Sequence, residues 1–196
     1  MLLSDSTIIK LCEGEKPLIE GFVPACTRVN EAGDRVISYG VAPCGYDARI
    51  APRFKVFNRK PLEASGLTIL DPKKFNAAEL VTEIETDVLI LPPHTYALGE
   101  TVERFNVPND VGVLCMAKST YARCGISVNT TPIVPGFSGF VVLEFYNHLD
   151  VPVRIYANEG FAFFQFSWLN QACEQNYVDV GGNYNNQQSG IQVARV

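Results

Sequence analysis

Runs of β-branched and aromatic residues, broken every few positions by Gly, Pro and Asn, set the rhythm of this chain. The segments YDARIAPRFKVF, DVLILPP, TYALGETVERF, GVLCMAKS, GISVNTTPIV, GFVVLEFYN, VRIYANEG and FAFFQFSWL have the composition of strands, and turn signals such as PPH, VPND, VPG, DVP and NEG separate them. Many short strands at close spacing predict a mainly β protein, an antiparallel sandwich or barrel. Two interruptions read as helical. Ser4 or Asp5 can cap a short N-terminal helix over residues 6–13, with Ile8, Ile9 and Leu11 on one face and Gly14 after it. KSTYARCG predicts a helical turn over residues 119–123, opened by Ser119 and closed at Gly125. Near the C-terminus, GGNYNNQQSG is polar and Gly-rich, so residues 175–196 read as a flexible tail.

Composition narrows the class. With 196 residues, 47% of them hydrophobic and 19% charged, the chain is expected to form a single domain, residues 1–196, around a real core. No apolar run reaches the roughly 18–20 residues that span a bilayer, so no membrane segment is expected. The N-terminus MLLSDSTIIKLCEGE has no basic region ahead of an apolar stretch and does not read as a signal peptide. A net charge of −5 argues against nucleic acid as a partner while leaving room for a local basic pocket. The six cysteines (Cys12, Cys26, Cys44, Cys115, Cys124 and Cys173) are scattered with no CxxC pair, the usage of reduced thiols in a cytoplasmic protein.

One strand poses a chemical question. In GFSGFVVLEFYN a carboxylate, Glu144, sits among apolar neighbours. Strand alternation puts Phe140, Val142, Glu144 and Tyr146 on one face and Val141, Leu143 and Phe145 on the other, and neither face looks wet. An ionised carboxylate there is costly unless paired or protonated. A structural ion pair, or an edge that reaches solvent, would account for it; so would a functional acid or base.

Most familiar chemistries are absent from the chain. There are two histidines, His94 and His148, both at turns, and no HxE or CxxC spacing for a zinc deaminase or finger. Neither a GxSxG elbow nor a Walker or Rossmann glycine pattern occurs. What remains is carboxylates, hydroxyls and a few cations. In AKSTYARCG, Ser119 and the backbone N–H groups after it converge as at a helix start, with Lys118 beside them. Arg123, four residues after Ser119, returns to the same face. Alone, this is a capped turn with surface charges; beside a buried glutamate it becomes a phosphate cradle next to an acid–base residue.

AKSTYARCGI followed by VNTTPIVPGFSGFVVLEFYN resembles the core of the dCTP deaminases, within the dUTPase-like superfamily. MLLSD is similar to that family's N-terminal strand and helix start, and SYGVAPCGYDARI to a spread form of the superfamily's first motif around Asp47. LPPHTYALGETVERFNVPNDV resembles the segment before the phosphate loop; IYANEGFAFFQF and NYNNQQ resemble the closing strands and C-terminal flap. The resemblance covers nearly the whole chain. It implies a distorted double-sheet β-barrel of the dUTPase-like type, with a short N-terminal helix and a mobile tail that closes over the active site. It further implies a cytoplasmic homotrimer with sites between subunits. The implied reaction is hydrolytic deamination of dCTP to dUTP and ammonia, supplying dUTP for dUMP and dTTP synthesis. No zinc is implied, and Mg²⁺ would be bound through the substrate triphosphate.

By the same resemblance Glu144 would be the general base, activating water for attack at the cytosine C4 and passing its proton to the ring and leaving ammonia. Arg123 would orient Glu144, and Ser119 would hold the water. Lys118, Ser119 and Thr120 would meet the phosphates, with Tyr121, Ala122 and Arg123 completing the substrate-facing turn. Val142 and Leu143 would hold the base through their main chain, Thr131 and Pro132 would wall the exocyclic amine, and Tyr177, Asn183 and Gln187 would close the tail over the triphosphate. Three positions depart from the pattern. Asn183 stands where the family's tail carries a lysine, and Ala117 precedes the cradle where glycine or arginine is usual. Phe163 occupies the place of a strand glutamine, with Gln165 two residues on. Related deaminases that also cut the triphosphate carry aspartate before Pro-Gly; here that residue is Val134, which cannot activate a second water. A bifunctional enzyme yielding dUMP, and a non-catalytic nucleotide-binding trimer, are the alternatives.

Overall fold

The computed structural model describes residues 1–58, 69–75, 80–129 and 131–194. In chain order its elements are α1 (Asp5–Leu11), β1 (Ile19–Glu20), β2 (Thr27–Val29), β3 (Arg35–Ala42), β4 (Gly45–Phe57), a 3₁₀ turn (Pro72–Lys74), β5 (Val81–Glu85), β6 (Val88–Leu91) and β7 (Tyr96–Asn106). There follow β8 (Val111–Ala117), a one-turn helix α2 (Ser119–Ala122), β9 (Ile126–Val128), β10 (Ser138–Asn147), β11 (Val153–Tyr156) and β12 (Gly160–Trp168). No helix among the described residues is long and apolar enough to cross a membrane.

Each of the strand runs expected from the apolar pattern contains a strand, and the pairings between strands are antiparallel. GISVNTTPIV is strand only over β9; Thr130 lies outside the described residues, and Ile133 makes an isolated bridge to Val113. The pattern did not announce β1, β2, β3 or β5. Two of these are very short, β5 carries exposed Glu83 and Glu85, and β3 is interrupted by Ser38 and Gly40. The N-terminal helix spans Asp5–Leu11 rather than residues 6–13, because Leu18 N–H bonds back to Leu11 O and folds the chain away.

Strand β4 curls the sheet. Residues 46–49 pair with β12, whereas Ile50 and Phe54 to Val56 pair with β7. The register slips between Ile50 and Phe54, where Pro52 has no N–H to offer a ladder, and the bulge carries the strand from one layer into the other. The result is a sheet curled into a half-barrel, with β7 bonded to β1, β4 and β10. Between the layers lie Tyr46, Phe54, Phe105, Phe145, Phe161, Phe164 and Phe166, all essentially sealed from solvent. Each such side chain contributes about 2 kcal/mol through burial. Phe105 stacks on Phe164 at 4.5 Å, and Phe145 meets the ring of Phe161 at 4.9 Å. This packing holds β10 rigidly against β7, and it is on β10 that Glu144 rides.

Residues 175–194, read from composition as a flexible tail, lie folded against the sheet; Arg195 and Val196 are outside the described residues. Gln187 bridges Gly139 in parallel register, and Tyr177 packs on Phe137. The tail brings few apolar side chains of its own, so its seat is supplied by the barrel.

Candidate functional site

From Val142 onward strand alternation divides β10 as its sequence suggested, but a register slip between Phe140 and Val142 brings Val141 to the same cavity as its neighbours, and the two faces differ. Leu143, Phe145 and Asn147 point into the core, whereas Phe140, Val142, Glu144 and Tyr146 are half-buried. The apolar look of the second face comes from a cavity of about 790 Å³ above it. Its floor is Phe140, Val142 and Glu144, joined by Tyr96 and Leu98 of β7. Thr131, Pro132 and Val134 form one wall, Phe57, Leu70, Pro72 and Phe75 another, and Tyr177, Tyr184 and Gln187 of the tail cover it.

Within this cavity Glu144 is held on one side only. Asn129 Nδ2 donates to its Oε2 at 2.9 Å, and Asn129 N–H donates to the Glu144 main-chain carbonyl at 2.8 Å. Among the described residues no group bonds to Oε1, which leaves that oxygen available to a ligand or a water. Burial, and then the Glu144 charge, push the neighbouring Tyr96 hydroxyl and Cys115 thiol each up to about 12, so both stay protonated and neutral near neutrality. The tail adds a polar group from above. Gln187 is 5% exposed, and its Nε2 is buried with no hydrogen-bond partner among the described residues. A donor left unsatisfied in a dry site is costly.

The predicted cradle lies elsewhere. Arg123 N–H bonds to Ser119 O at 3.1 Å, which confirms the turn, and Gly125 ends it with φ +73°, where a Cβ would meet Leu149 at 2.5 Å. Ser119, Thr120, Ala122 and Arg123 are exposed, and none of them lines the Glu144 cavity of the same chain. Among the described residues no ion pair joins Arg123 to Glu144. Tyr121 is a core residue: its ring packs on Phe161 at 4.9 Å and its hydroxyl accepts from Tyr156 N–H, so only its main chain is left for a ligand. Lys118 is buried too, with its ammonium 2.5 Å from Asp47 Oδ2. Burial pushes the Asp47 carboxyl above its ordinary value and Lys118 pulls it back.

The GYDAR stretch is accordingly a structural knot. Tyr46 hydroxyl and Arg49 Nε both donate to the fully buried Glu103, at 3.2 and 2.8 Å, while Asp47 on the intervening position reaches Lys118. Of the predicted site residues, one cavity gathers Glu144, Val142, Thr131, Pro132, Tyr177 and Gln187. Leu143 follows Val142 with its side chain in the core, and Asn183 is exposed on the tail beside Tyr184. Phe163 and Gln165 face Met116 and Leu114 across the β12–β8 ladder, away from the cavity. Sequence reading missed Asn129, Tyr96, Phe57 and Phe75. Tyr96 was available from the alternation of β7, but the other three reach the site only through tertiary contacts.

A family model described as dCTP deaminase-like matches residues 3–168. Over 192 residues the chain is 44% identical to a dCTP deaminase of Xanthomonas euvesicatoria pv. vesicatoria, covering 98% of this chain and 97% of the relative. It is 43% identical, with the same coverage, to a dCTP deaminase of Xanthomonas oryzae pv. oryzae. In three dimensions it is similar to the crystal structure of 2'-deoxycytidine 5'-triphosphate deaminase from Agrobacterium tumefaciens, with a TM-score of 0.59 at 17% identity. That superposition covers 84% of this chain and 47% of the Agrobacterium chain, so this chain spans about half its length and the likeness concerns the fold. The family match takes in β1 to β12 with the Glu144 strand and the Ser119 turn, and the chain belongs to the dCTP deaminase-like family.

Proposed function

We propose that this protein deaminates dCTP hydrolytically to dUTP and ammonia, with Glu144 as the proton-transferring carboxylate. The observation that carries the reading is Glu144 itself: half-buried in a mostly apolar cavity, fixed through Oε2 by Asn129, and open at Oε1 among the described residues. Relatives that carry the name dCTP deaminase across nearly their full length support the substrate. Oε1 takes a proton from water as the oxygen attacks C4 and passes it to the ring nitrogen N3; the carboxylate then carries the second proton, from the new C4 hydroxyl, to the amine as the C4–N bond breaks and ammonia leaves. The cavity walls keep bulk water from the base, and the main chain of Val142 and Leu143 positions its edge. Mg²⁺ accompanies the substrate on its triphosphate.

In this reading the site is completed by a second copy of the chain. The carboxylate and the exposed Ser119–Arg123 turn belong to one reaction, yet they lie apart on a single chain. Three copies, each lending its turn to a neighbour's Glu144 cavity, bring Arg123 to the carboxylate and close the ring. Lys118, tied to Asp47, then shapes the turn from beneath and offers its remaining N–H donors upward. The product keeps its triphosphate, because the wall position before Pro135 is Val134, which cannot orient a second water. The absence of zinc in this mechanism rests on the histidines: His94 pairs with exposed Asp150 and His148 with Ser127, both away from Glu144.

The test is direct. Purified protein is incubated with dCTP and Mg²⁺, and the product is resolved by base and by phosphate number. Ammonia and dUTP are expected, and Glu144→Gln should lower turnover by at least about a hundredfold while dCTP still binds. Release of dUMP or pyrophosphate would replace the monofunctional reading, and a fully active Glu144→Gln would remove the carboxylate from the chemistry.

A further inference from the structure

A second carboxylate near this cavity has no part in the chemistry above. Glu100 of β7 is 1% exposed and stands opposite Val142 in the β7–β10 ladder. Two of its hydrogen-bond partners come from the tail: Gly190 N–H donates to Oε2 at 2.8 Å, and the Ser189 hydroxyl donates to Oε1 at 3.2 Å. The third is Arg53, which donates to Oε1 at 3.0 Å and also bonds the Ser189 hydroxyl. Among the described residues, Arg53 is the one partner that belongs to the sheet. Without the tail, Glu100 would keep a single, half-exposed partner.

The same seat is prepared from the other side. Gly139 has φ +149°, and a Cβ there would stand 2.7 Å from the Gln187 nitrogen, so the strand leaves room for the tail only as glycine. Phe140 N–H donates to Gln187 O at 3.1 Å, and Arg104 Nη2 donates to Asn186 Oδ1 at 3.2 Å. Gln187 therefore lies between two charged anchors, Arg104 before it and Glu100 after it, and it lines the Glu144 cavity.

We propose that Glu100 is the anchor of the C-terminal tail, a positioning residue that holds Gln187 over the Glu144 cavity and so sets how firmly nucleotide is retained. The part concerning nucleotide rests on the deaminase reading; the anchoring itself does not. Lifting the tail strips a buried carboxylate of two hydrogen bonds, which biases the empty protein toward the closed tail. Nucleotide then meets a site whose cover is already ordered, and less of its binding energy is lost to ordering the chain.

Hydrogen exchange at the Gly190 amide, on nucleotide-free protein, reads the anchor. Glu100→Gln should speed that exchange roughly tenfold or more, Ser189→Ala by less, and the β10 amides from Leu143 to Phe145, which pair with β7 or β9 rather than the tail, should not change. With dCTP and Mg²⁺, KM for Glu100→Gln should rise about tenfold while kcat stays within about threefold. Unchanged exchange at Gly190 in both variants would overturn the anchor. Faster exchange with an unchanged KM would overturn its role in retention. If the wild-type protein leaves dCTP intact, the deaminase reading falls while the exchange result still decides the anchor. Should Glu100→Gln fail to fold, Ser189→Ala and Gly139→Ala judge it, since one removes a partner of Glu100 and the other blocks the seat.

Discussion

Glu144 and Lys118 are both charged groups in poorly hydrated places, and their surroundings give them opposite roles. Glu144 has one neutral donor, Asn129, and open space at its other oxygen, the arrangement of a group kept for exchange with a ligand. Lys118 is committed to Asp47 at 2.5 Å. Removing one member of a buried pair strands the other, so Lys118→Ala should lose roughly 3 kcal/mol of stability at neutral pH. The pH dependence has a definite sign. Asp47 carries a folded pKa above its unfolded one, so its contribution to stability is fully present below the unfolded pKa and lost as pH rises through the folded pKa. Lys118 supplies the influences that lower that folded pKa, and without it the raised range extends upward. The gap in urea-unfolding stability between Lys118→Ala and wild type should therefore narrow from about pH 8 toward about pH 4, as Asp47 takes up its proton. A gap that stays constant over that range would mean Asp47 is not the group left stranded.

At the scale of elements, the tail and the α2 turn are the two parts in which a polar surface segment is placed by a rigid neighbour. The turn is one helical turn long, too short to be stable alone, and it is fixed by Tyr121, whose ring is sunk against Phe161 and whose hydroxyl caps Tyr156 N–H. The tail is fixed by β7 and β10. Within it Asn183 stands exposed at the position where the resemblance to the family implies a lysine, so the tail would lack a cation over an anionic substrate. Asn183→Lys should tighten dCTP binding by about five- to tenfold at low ionic strength and by less in salt. Equilibrium binding across a salt series checks this; affinity that falls, or a gain indifferent to salt, would mean residue 183 faces away from the phosphates when the tail is closed.

In the proposed reading the whole molecule carries its chemistry in two places that one chain does not join. The Glu144 cavity is bounded by β7, β10, the Leu70–Phe75 stretch and the tail, and the Ser119–Arg123 turn faces solvent outside it. An assembly in which neighbours share sites makes a quantitative prediction. Glu144→Gln and Arg123→Ala proteins, each inactive alone, should regain about one quarter of wild-type turnover when co-assembled in equal amounts, because a working site needs an intact residue from each of two neighbours. Mixtures that stay inactive would place Glu144 and Arg123 in the same chain's site.

The sequence by itself determined eight of the twelve strands, β4 and β6 to β12, because alternation and turn chemistry are local properties that each of those segments carries alone. It also determined which side chains share a face of β10 from Val142 onward, though not the slip that turns Val141 to the cavity, and that the 119–123 turn ends at Gly125. Its match to a family pinned Glu144, since an apolar strand has no local reason to carry a carboxylate. What it left open depends on neighbours distant in the chain. Alternation says that a face is covered but not by what, so the face of Glu144 looked buried when it is the floor of a cavity walled by Phe57, Phe75 and the tail. A lysine in a cradle motif looks free until the register of β4 and β12 brings Asp47 beneath it. Polar composition made the tail look unattached because its anchors, Glu100 and Arg104, lie on β7. Only the tertiary structure decided these matters, because burial and charge pairing depend on which surfaces meet, and strand register across the curled sheet sets that.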